Sequence, residues 1–483
     1  MEFAHIFTLS VSVVTAINIL LAGILIFIER RDIGSTWAWL LILFFIPIVG
    51  FIVYLFFGRQ LKQKNFYKLS SDEREYLRSS VEEQLKELKA THEYRNDLLI
   101  QHNKLLFTNL NSSKSLVRID NEIDIFSDGN QKFEALFEDI RNAKKEINIQ
   151  YYIIQRDNLG KKLRDELTKK AKEGIKVRVL YDEVGSRKMT PSFFKELISY
   201  GGEAQAFFPS ILRLINFRIN NRNHRKLCII DGEVAYIGGF NVGDEYLGLD
   251  PKMGYWRDTH FRIKGESVND IQGRFILDWH QATKQPIELE QFLHRTETHS
   301  GTVPVQIVAS GPNSTTQHLK NMYISLIMSA KESVYLQTPY FIPDASFMDA
   351  CKIALLSGVA IHIMIPNKPD HPFVYWATWS HVGELLAYGA NIYLYEKGFL
   401  HAKTIVVDNE VSSVGTTNID PRSFSLNFEV NAVVYDQPIS KKLQNLFLED
   451  VQCSSKLTFE RYKERSLLIK FKEAVSRLLS PIL

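Results

Sequence analysis

A unit written twice constrains this chain more than its length or composition does. Ile123-Asp124-Ile125-Phe126-Ser127-Asp128-Gly129 parallels Val305-Gln306-Ile307-Val308-Ala309-Ser310-Gly311. Ala143-Lys144-Lys145-Glu146-Ile147-Asn148-Ile149-Gln150 matches Ala330-Lys331-Glu332-Ser333-Val334-Tyr335-Leu336-Gln337, and Gly174 to Val179 matches Gly358 to Ile363. Helical patterns separate these apolar segments. Strand–helix–strand alternation predicts an α/β fold with parallel-rich sheets. The offset of about 185 residues is too long for a solenoid, so the pattern predicts a duplicated domain, its halves facing each other across a pseudo-twofold axis.

Each half closes on the same constellation. The first is His224-Arg225-Lys226-Leu227-Cys228-Ile229-Ile230-Asp231, followed by Gly238-Gly239-Phe240-Asn241. The second is His401-Ala402-Lys403-Thr404-Ile405-Val406-Val407-Asp408, followed by Gly415-Thr416-Thr417-Asn418. On a strand, residues two apart point to one face, so His and Lys emerge side by side. Asp231-Gly232-Glu233 and Asp408-Asn409-Glu410 are hairpin signals, and the chain then returns to present Gly and Asn. Two facing hairpins supply two imidazoles, two ammonium groups and two amides.

That set suits a phosphodiester. A neutral imidazole attacks phosphorus, and a protonated one gives its proton to the leaving alkoxide on the opposite side. Lys226, Lys403, Asn241 and Asn418 are placed to hold the non-bridging oxygens as charge grows on them. Two histidines in different protonation states need different surroundings, so acids are expected nearby. Asp258, in Trp256-Arg257-Asp258-Thr259, follows His224, and Glu429, in Asn427-Phe428-Glu429-Val430, follows His401. Either can accept the second ring proton and orient its histidine. For the turn residues Asp231 and Asp408, a structural acceptor that fixes the hairpin competes evenly with a chemical role. The segment His294-Arg295-Thr296-Glu297-Thr298-His299 lacks helical i, i+4 spacing and a third ligand, so it reads as linker rather than metal site.

The flanking segments have different compositions. Residues 6–28 and 37–57 carry no formal charge, and each is long enough to cross a hydrocarbon core as a helix. The turn Glu29-Arg30-Arg31-Asp32 joins them, and Trp37, Trp39 and Tyr54 lie near their ends, where aromatic rings favour the lipid interface. A cleaved leader fits poorly, since the start is acidic (Glu2) and the apolar run too long. Arg59, Lys62, Lys64 and Lys68 outnumber Arg30 and Arg31, which places the remainder on the cytoplasmic side. The expected organisation is a transmembrane hairpin over 1–58, a charged helical linker over 59–115, half 1 over 116–300, half 2 over 301–455 and a basic amphipathic tail over 456–483. In the tail, Lys463, Lys470, Lys472 and Arg477 intersperse with Leu467, Leu468, Phe471 and Leu478. The tail suits either an anionic lipid surface or a helix packed on the core. Three cysteines, Cys228, Cys351 and Cys453, cannot build a disulfide framework and fit a reducing compartment. A balance of 58 basic against 55 acidic residues gives little support to nucleic-acid binding.

With these motifs in place, the sequence resembles the phospholipase D superfamily, which is marked by a doubled His-x-Lys-x4-Asp. More narrowly, it is similar to the bacterial cardiolipin synthases of that superfamily. The likeness extends from Pro47-Ile48-Val49-Gly50 and Tyr54-Leu55-Phe56-Phe57-Gly58-Arg59 through Gln337-Thr338-Pro339-Tyr340-Phe341-Ile342-Pro343-Asp344 to Asn418-Ile419-Asp420-Pro421-Arg422-Ser423-Phe424. It implies two pseudo-twofold related sandwich halves behind a two-helix membrane hairpin. It implies an active-site set of His224, Lys226, Asp231, His401, Lys403 and Asp408, with no metal or other cofactor. The implied reaction turns two phosphatidylglycerol molecules into cardiolipin and glycerol through a phosphatidyl-histidine, at an anionic membrane. Thr416 stands where Ser is commoner, a like-for-like exchange. Near symmetry leaves both histidines open as the attacking group, with His224 the first choice. The rivals are a phospholipase D-type hydrolase, another phosphatidyltransferase such as phosphatidylserine synthase, a membrane-anchored nuclease, and an inactive lipid-binding scaffold.

Overall fold

The computed structural model describes residues 2–27, 33–54, 58, 66–67, 71–90, 97–210, 220–285 and 301–480. The charged turn at 29–32, the basic flank at 59–64 and Lys68, and the 294–299 linker segment lie outside the described residues.

Half 1 supplies β1 (Val117–Phe126), β2 (Glu146–Tyr151), β3 (Lys176–Asp182), β4 (Glu203–Phe207), β5 (Leu227–Ile230), β6 (Val234–Gly238), β7 (Tyr255–Arg257) and β8 (His260–Gly265). Half 2 supplies β9 (Val303–Ser310), β10 (Ser333–Gln337), β11 (Ala360–Pro366), β12 (Asn391–Tyr395), β13 (Gly398–Leu400), β14 (Thr404–Val407), β15 (Val411–Gly415), β16 (Glu429–Tyr435) and β17 (Ser454–Leu457). Fifteen of these strands form one sheet, ordered β17-β12-β11-β10-β14-β15-β16-β9-β1-β8-β6-β5-β2-β3-β4. Read outward from the central β1–β9 pair, the order of half 1 repeats in half 2, which adds β17 at its edge. The duplication in the sequence is thus a pseudo-twofold in the sheet. Within this sheet parallel pairing is confined to β2–β3–β4 and β10–β11–β12. The returning hairpins and the join between halves are antiparallel, so the sheet is mixed rather than parallel-rich.

Central strands are buried along their length, and every residue of β2, β5, β14 and β16 is inside. Both faces must therefore be covered. Helices Gly129–Asn142 and Asn158–Lys172 cover one face of half 1 through Phe133, Leu136, Ile140, Leu163 and Leu167. On the opposite face Val268, Ile271 and Phe275 meet Val414, Val430, Ala432, Ile439 and Leu443, so this core is built from both halves. The connector before half 1 is more than a spacer. Val81, Leu99, Leu105, Leu106 and Leu110 lie in the core of half 2, and Gln84 exchanges hydrogen bonds with the backbone of Val117 (3.0 and 2.9 Å).

The N-terminal segment is a helix over Glu2–Phe27 followed by two shorter helices, Ile33–Phe45 and Pro47–Val53. The second uncharged run is therefore broken at Ile46, because Pro47 cannot donate to the carbonyl four residues back. Asn18 repairs the break, donating to Leu43 O (3.1 Å) and Pro47 O (2.9 Å). Trp39 and Tyr54 pack edge to face inside the hairpin, 5.4 Å apart, instead of lying at an interface, while Trp37 is exposed. Among the described residues no helix is long and apolar enough to cross a membrane. At the other end, Leu467–Leu479 packs on Pro372–Leu386 with Glu473 and Ser476 buried, leaving Leu467, Leu468, Phe471 and Leu478 exposed. All three cysteines are free, two of them buried.

Candidate active site

Each His-x-Lys precedes its strand instead of lying in it, since β5 begins at Leu227 and β14 at Thr404. What holds these segments straight is the other half of the molecule. His224 N donates to Phe428 O (3.0 Å) and Phe428 N to Arg222 O (2.8 Å). The pseudo-twofold counterpart is the short parallel pair β7–β13, from which His401 N donates to Arg257 O (2.7 Å). Each histidine is thus anchored by its main chain to the opposite half.

The side chains cross over in the same way. His224 Nδ1 lies 2.9–3.0 Å from the Glu429 carboxylate, and His401 Nδ1 lies 2.6 Å from Asp258 Oδ2. Sequence order paired each acid with the histidine before it, whereas the structure pairs each with the histidine of the other half. An ionised carboxylate only accepts, so each Nδ1 carries and donates a proton, leaving Nε2 as the reactive nitrogen of a neutral ring. Burial acts to raise the Glu429 carboxyl, but His224, Lys226 and the Thr416 hydroxyl outweigh it and hold it below its ordinary value. Thr416 Oγ1 donates to Glu429 Oε2 at 2.5 Å. The matching residue in half 1 is Gly239, where a Cβ would fall 1.9 Å from Asp258 Oδ1. Asp258 has the Thr259 backbone N–H instead (2.7 Å).

Both lysines are fully buried beside the rings. Lys226 Nζ donates to His224 O (2.6 Å), and Lys403 Nζ donates to His401 O. Burial pulls Lys226 down to about 7 and Lys403 down to about 8, with Glu429 and Asp258 pulling the other way. Burial, reinforced by Lys403, drives His401 down to about 3. His224 is lowered by burial and by Lys226, against the opposing pull of Glu429. The lysine of each half acts on the histidine of the other, as expected for a single cleft. Tyr152 stands edge-on to His224 at 4.8 Å, and Trp256 lies 5.2 Å from His401.

Two expected roles need correction. Asp231 and Asp408 do not touch the rings. Each carboxylate sits at the far end of its hairpin and accepts three backbone N–H groups, from Lys144, Lys145 and Glu146 (2.7–2.9 Å) or from Lys331, Glu332 and Ser333 (2.7–2.9 Å). Their positive φ angles, 57° and 51°, suit the tight turn. They fix the hairpin. Asn241 is held by the protein, accepting from Ile153 N (3.1 Å) and donating to Tyr246 OH (2.9 Å), which commits its oxygen and one of its two amide protons. Asn418 differs, because its Oδ1 is buried without a partner among the described residues. No cluster of three or more His, Cys, Asp or Glu with metal-binding geometry occurs among them either.

Sequence reasoning missed what stands behind the rings. Buried Asp278 binds Arg225, the residue after His224 (2.6 Å), and buried Asp450 binds Arg257, the residue before Asp258 (2.8 Å). Gln150 and Gln337 donate to these two acids (2.7 and 2.8 Å). The ion pair is conserved between halves while its arginine changes strand, with Ala402 and Phe428 filling the vacated places. Half 1 has one further tie. Tyr67 donates to Asp278 (2.6 Å) and receives Arg225 Nη1 (3.3 Å), and Phe66 stacks on Phe428 at 5.1 Å. The connector to the N-terminal hairpin is therefore bonded to the layer that carries His224. Only the repeat of Gln150 and Gln337 hinted at this second layer.

Comparison with known proteins agrees with this geometry. Residues 136–279 and 323–451 match the family described as "Cardiolipin synthase, PLD-like domain", and residues 16–59 match "Phospholipase_D-nuclease N-terminal". The major cardiolipin synthase of Bacillus subtilis is 53% identical over 478 residues, 97% of each chain. Cardiolipin synthase 2 of Staphylococcus epidermidis is 51% identical, covering 97% of this chain and 96% of the relative. The crystal structure of phosphatidylserine synthase from Haemophilus influenzae superposes with a TM-score of 0.59 at 16% identity, covering 79% of this chain and 100% of that one, a likeness of fold.

Proposed function

The chain belongs to the bacterial cardiolipin synthases of the phospholipase D superfamily, and we propose from that membership and the crossed histidine site how its residues carry out phosphatidyl transfer. The reaction is that of a phosphatidyltransferase: two phosphatidylglycerol molecules give cardiolipin and glycerol. The observation that supports the mechanism is the pair of Nδ1–carboxylate bonds, each made to the acid of the opposite half, which leaves Nε2 as the reactive nitrogen of both rings.

In the free cleft burial favours the neutral form of both rings. An anionic phosphodiester entering between them favours a proton on one ring. The neutral ring attacks phosphorus through Nε2, the phosphorus–oxygen bond to glycerol breaks, and the protonated ring gives its proton to the departing oxygen. In the second step the terminal hydroxyl of another phosphatidylglycerol attacks phosphorus, its proton passes to the ring that gave one up, and the phosphorus–nitrogen bond breaks. Each acid steadies the imidazolium formed on its histidine. Lys226, Lys403 and Asn418 face the non-bridging oxygens. We assign the first attack to His224, whose acid Glu429 is held below its ordinary value by His224, Lys226 and the added Thr416 hydroxyl.

We further propose that the N-terminal hairpin spans the membrane twice, with the catalytic halves on the cytoplasmic side, and that the tail helix rests on the same surface. Ile19, Leu20, Phe27, Trp37, Phe44, Phe45 and Val49 form an exposed apolar belt unsuited to water. Asn18 satisfies the Leu43 carbonyl that Pro47 frees and also binds the Pro47 carbonyl, as a hydrocarbon setting requires. The outward apolar edge of Leu467–Leu479 is flanked by Lys470, Lys472 and Arg477, which suits anionic lipid.

The test supplies phosphatidylglycerol vesicles to the full chain and follows lipids by mass spectrometry. Cardiolipin and glycerol in equal amounts are expected. Phosphatidic acid as the sole product would make the protein a hydrolase and overturn the reading.

A further inference from the structure

The reaction proposed above brings together two phosphodiester anions. One sits between the histidines, and the other, on the acceptor lipid, is one glycerol unit away. The ammonium groups of Lys226 and Lys403 belong to the first, so the second anion needs its own cationic seat if the acceptor is to be a lipid rather than water or free glycerol.

The two ends of the cleft differ where such a seat is required. Two residues before each histidine stand Arg222 in half 1 and Phe399 in half 2, and four residues after each motif asparagine stand Glu245 and Arg422. The basic member of both pairs lies at the same end. Arg422 is half-buried and donates to Asn220 Oδ1 (3.0 Å), two residues from Arg222. Arg222 is buried, and its backbone carbonyl accepts from Phe428 N. Arg187 is exposed. Burial and the Asp182 charge push Tyr152, the ring that contacts His224, up to about 12, with Arg422, Arg222 and Arg187 pulling the other way.

The acids facing this end are already engaged. Asp182 accepts Val184, Gly185 and Asn223 backbone N–H groups at 2.9–3.0 Å and lies 3.4 Å from Arg222. Asp420 accepts from Ser423 N at 2.6 Å. Glu429 is bound by His224 and Thr416. The opposite end is aromatic, with Trp256 and Phe399 packed around His401 and Glu245 turned to Gln155 (3.4 Å).

We propose that the end of the cleft formed by Arg222 and Arg422 is a second anion site that holds the phosphodiester of the acceptor glycerophospholipid. In the reverse reaction it holds the unreacted phosphate of cardiolipin. Planar guanidiniums suit a phosphodiester through paired N–H donors. The site makes the choice between lipid and neutral acceptors a matter of charge, and it fixes on which side of the symmetric histidine pair the acceptor lies. The inference rests on the cardiolipin-synthase reading.

The test compares two acceptors on the full-length protein in phosphatidylglycerol vesicles: a second lipid, read as cardiolipin formed, and labelled glycerol, read as exchange into phosphatidylglycerol. Glycerol carries no charge. Their ratio does not depend on how much of a variant is folded. For Arg422→Gln the ratio of cardiolipin formation to glycerol exchange is expected to fall roughly tenfold, with Arg422→Lys between variant and wild type. An unchanged ratio in Arg422→Gln would overturn the site. Wild-type protein that exchanges glycerol but forms no cardiolipin would overturn the functional reading beneath it.

Discussion

The two sides of the cleft share their histidine, lysine, carboxylate and buried ion pair, yet each reaches them differently. On the His224 side the acid is a glutamate with a threonine hydroxyl on it, the supporting arginine follows the histidine, and the connector adds Tyr67. On the His401 side the acid is an aspartate against a bare glycine, and the supporting arginine arrives from the other half. The chemistry requires two imidazoles flanking one phosphorus, so those positions stay matched. It also requires the two rings to act in different roles, and the surroundings are where they diverge. The lesson is that duplication supplied the machinery and divergence of the packing layer assigned the parts.

The largest expected effect tests what is shared. His224→Ala and His401→Ala are each expected to lower cardiolipin formation by about three to four orders of magnitude. Near-normal turnover in either would separate the two rings and end the comparison. Next comes the layer behind them. Arg225→Met removes the guanidinium that lies 2.6 Å from buried Asp278 and is expected to cost about 3–5 kcal/mol of stability in denaturant unfolding. Arg257→Met is expected to cost a similar amount through Asp450. Tyr67→Phe removes one bond from Asp278 on the His224 side only and is expected to cost about 1–2 kcal/mol. A loss in Arg225→Met no larger than in Tyr67→Phe would contradict the assigned ion pair.

The sharper contrast is Thr416→Val, which strips the hydroxyl from Glu429 and makes that acid resemble Asp258. Turnover is expected to fall roughly tenfold, the scale of one charge-assisted hydrogen bond. No change in kcat would show that the two acids are equivalent. The smallest and most gradual effect is on pH. Because burial depresses the lysines, raising the pH past about 7 to 8 removes the charges that attract the phosphate. The value of kcat/KM is therefore expected to decline above pH 8, by at most about tenfold per unit for each lysine. A flat profile to pH 10 would contradict the buried lysines as anion holders.

Local patterns made much of this legible in sequence. The repeat, the hairpins and the paired His-x-Lys segments are written in residue spacing, and the sheet preserves them. Pairing across the halves is not written there. Glu429 follows His401 in the chain, and nothing local says that it serves His224. The same holds for Arg257 with Asp450 and for Tyr67, whose partners are distant in sequence. The roles of Asp231 and Asp408 were ambiguous for the opposite reason. A carboxylate in a turn looks alike whether it binds backbone or substrate, and only the three N–H groups on each decide. The break at Ile46 was foreshadowed by Pro47, but the Asn18 repair needed the partner helix in place.

The central claim is that two histidines act in turn on one phosphorus atom, and its stereochemistry reports on that directly. Phosphatidylglycerol made chiral at phosphorus with oxygen isotopes is converted to cardiolipin, and the configuration of the product is read. Two successive displacements through a phosphatidyl-histidine predict retention. Inversion would mean that the acceptor attacks in a single step, with no histidine bonded to phosphorus.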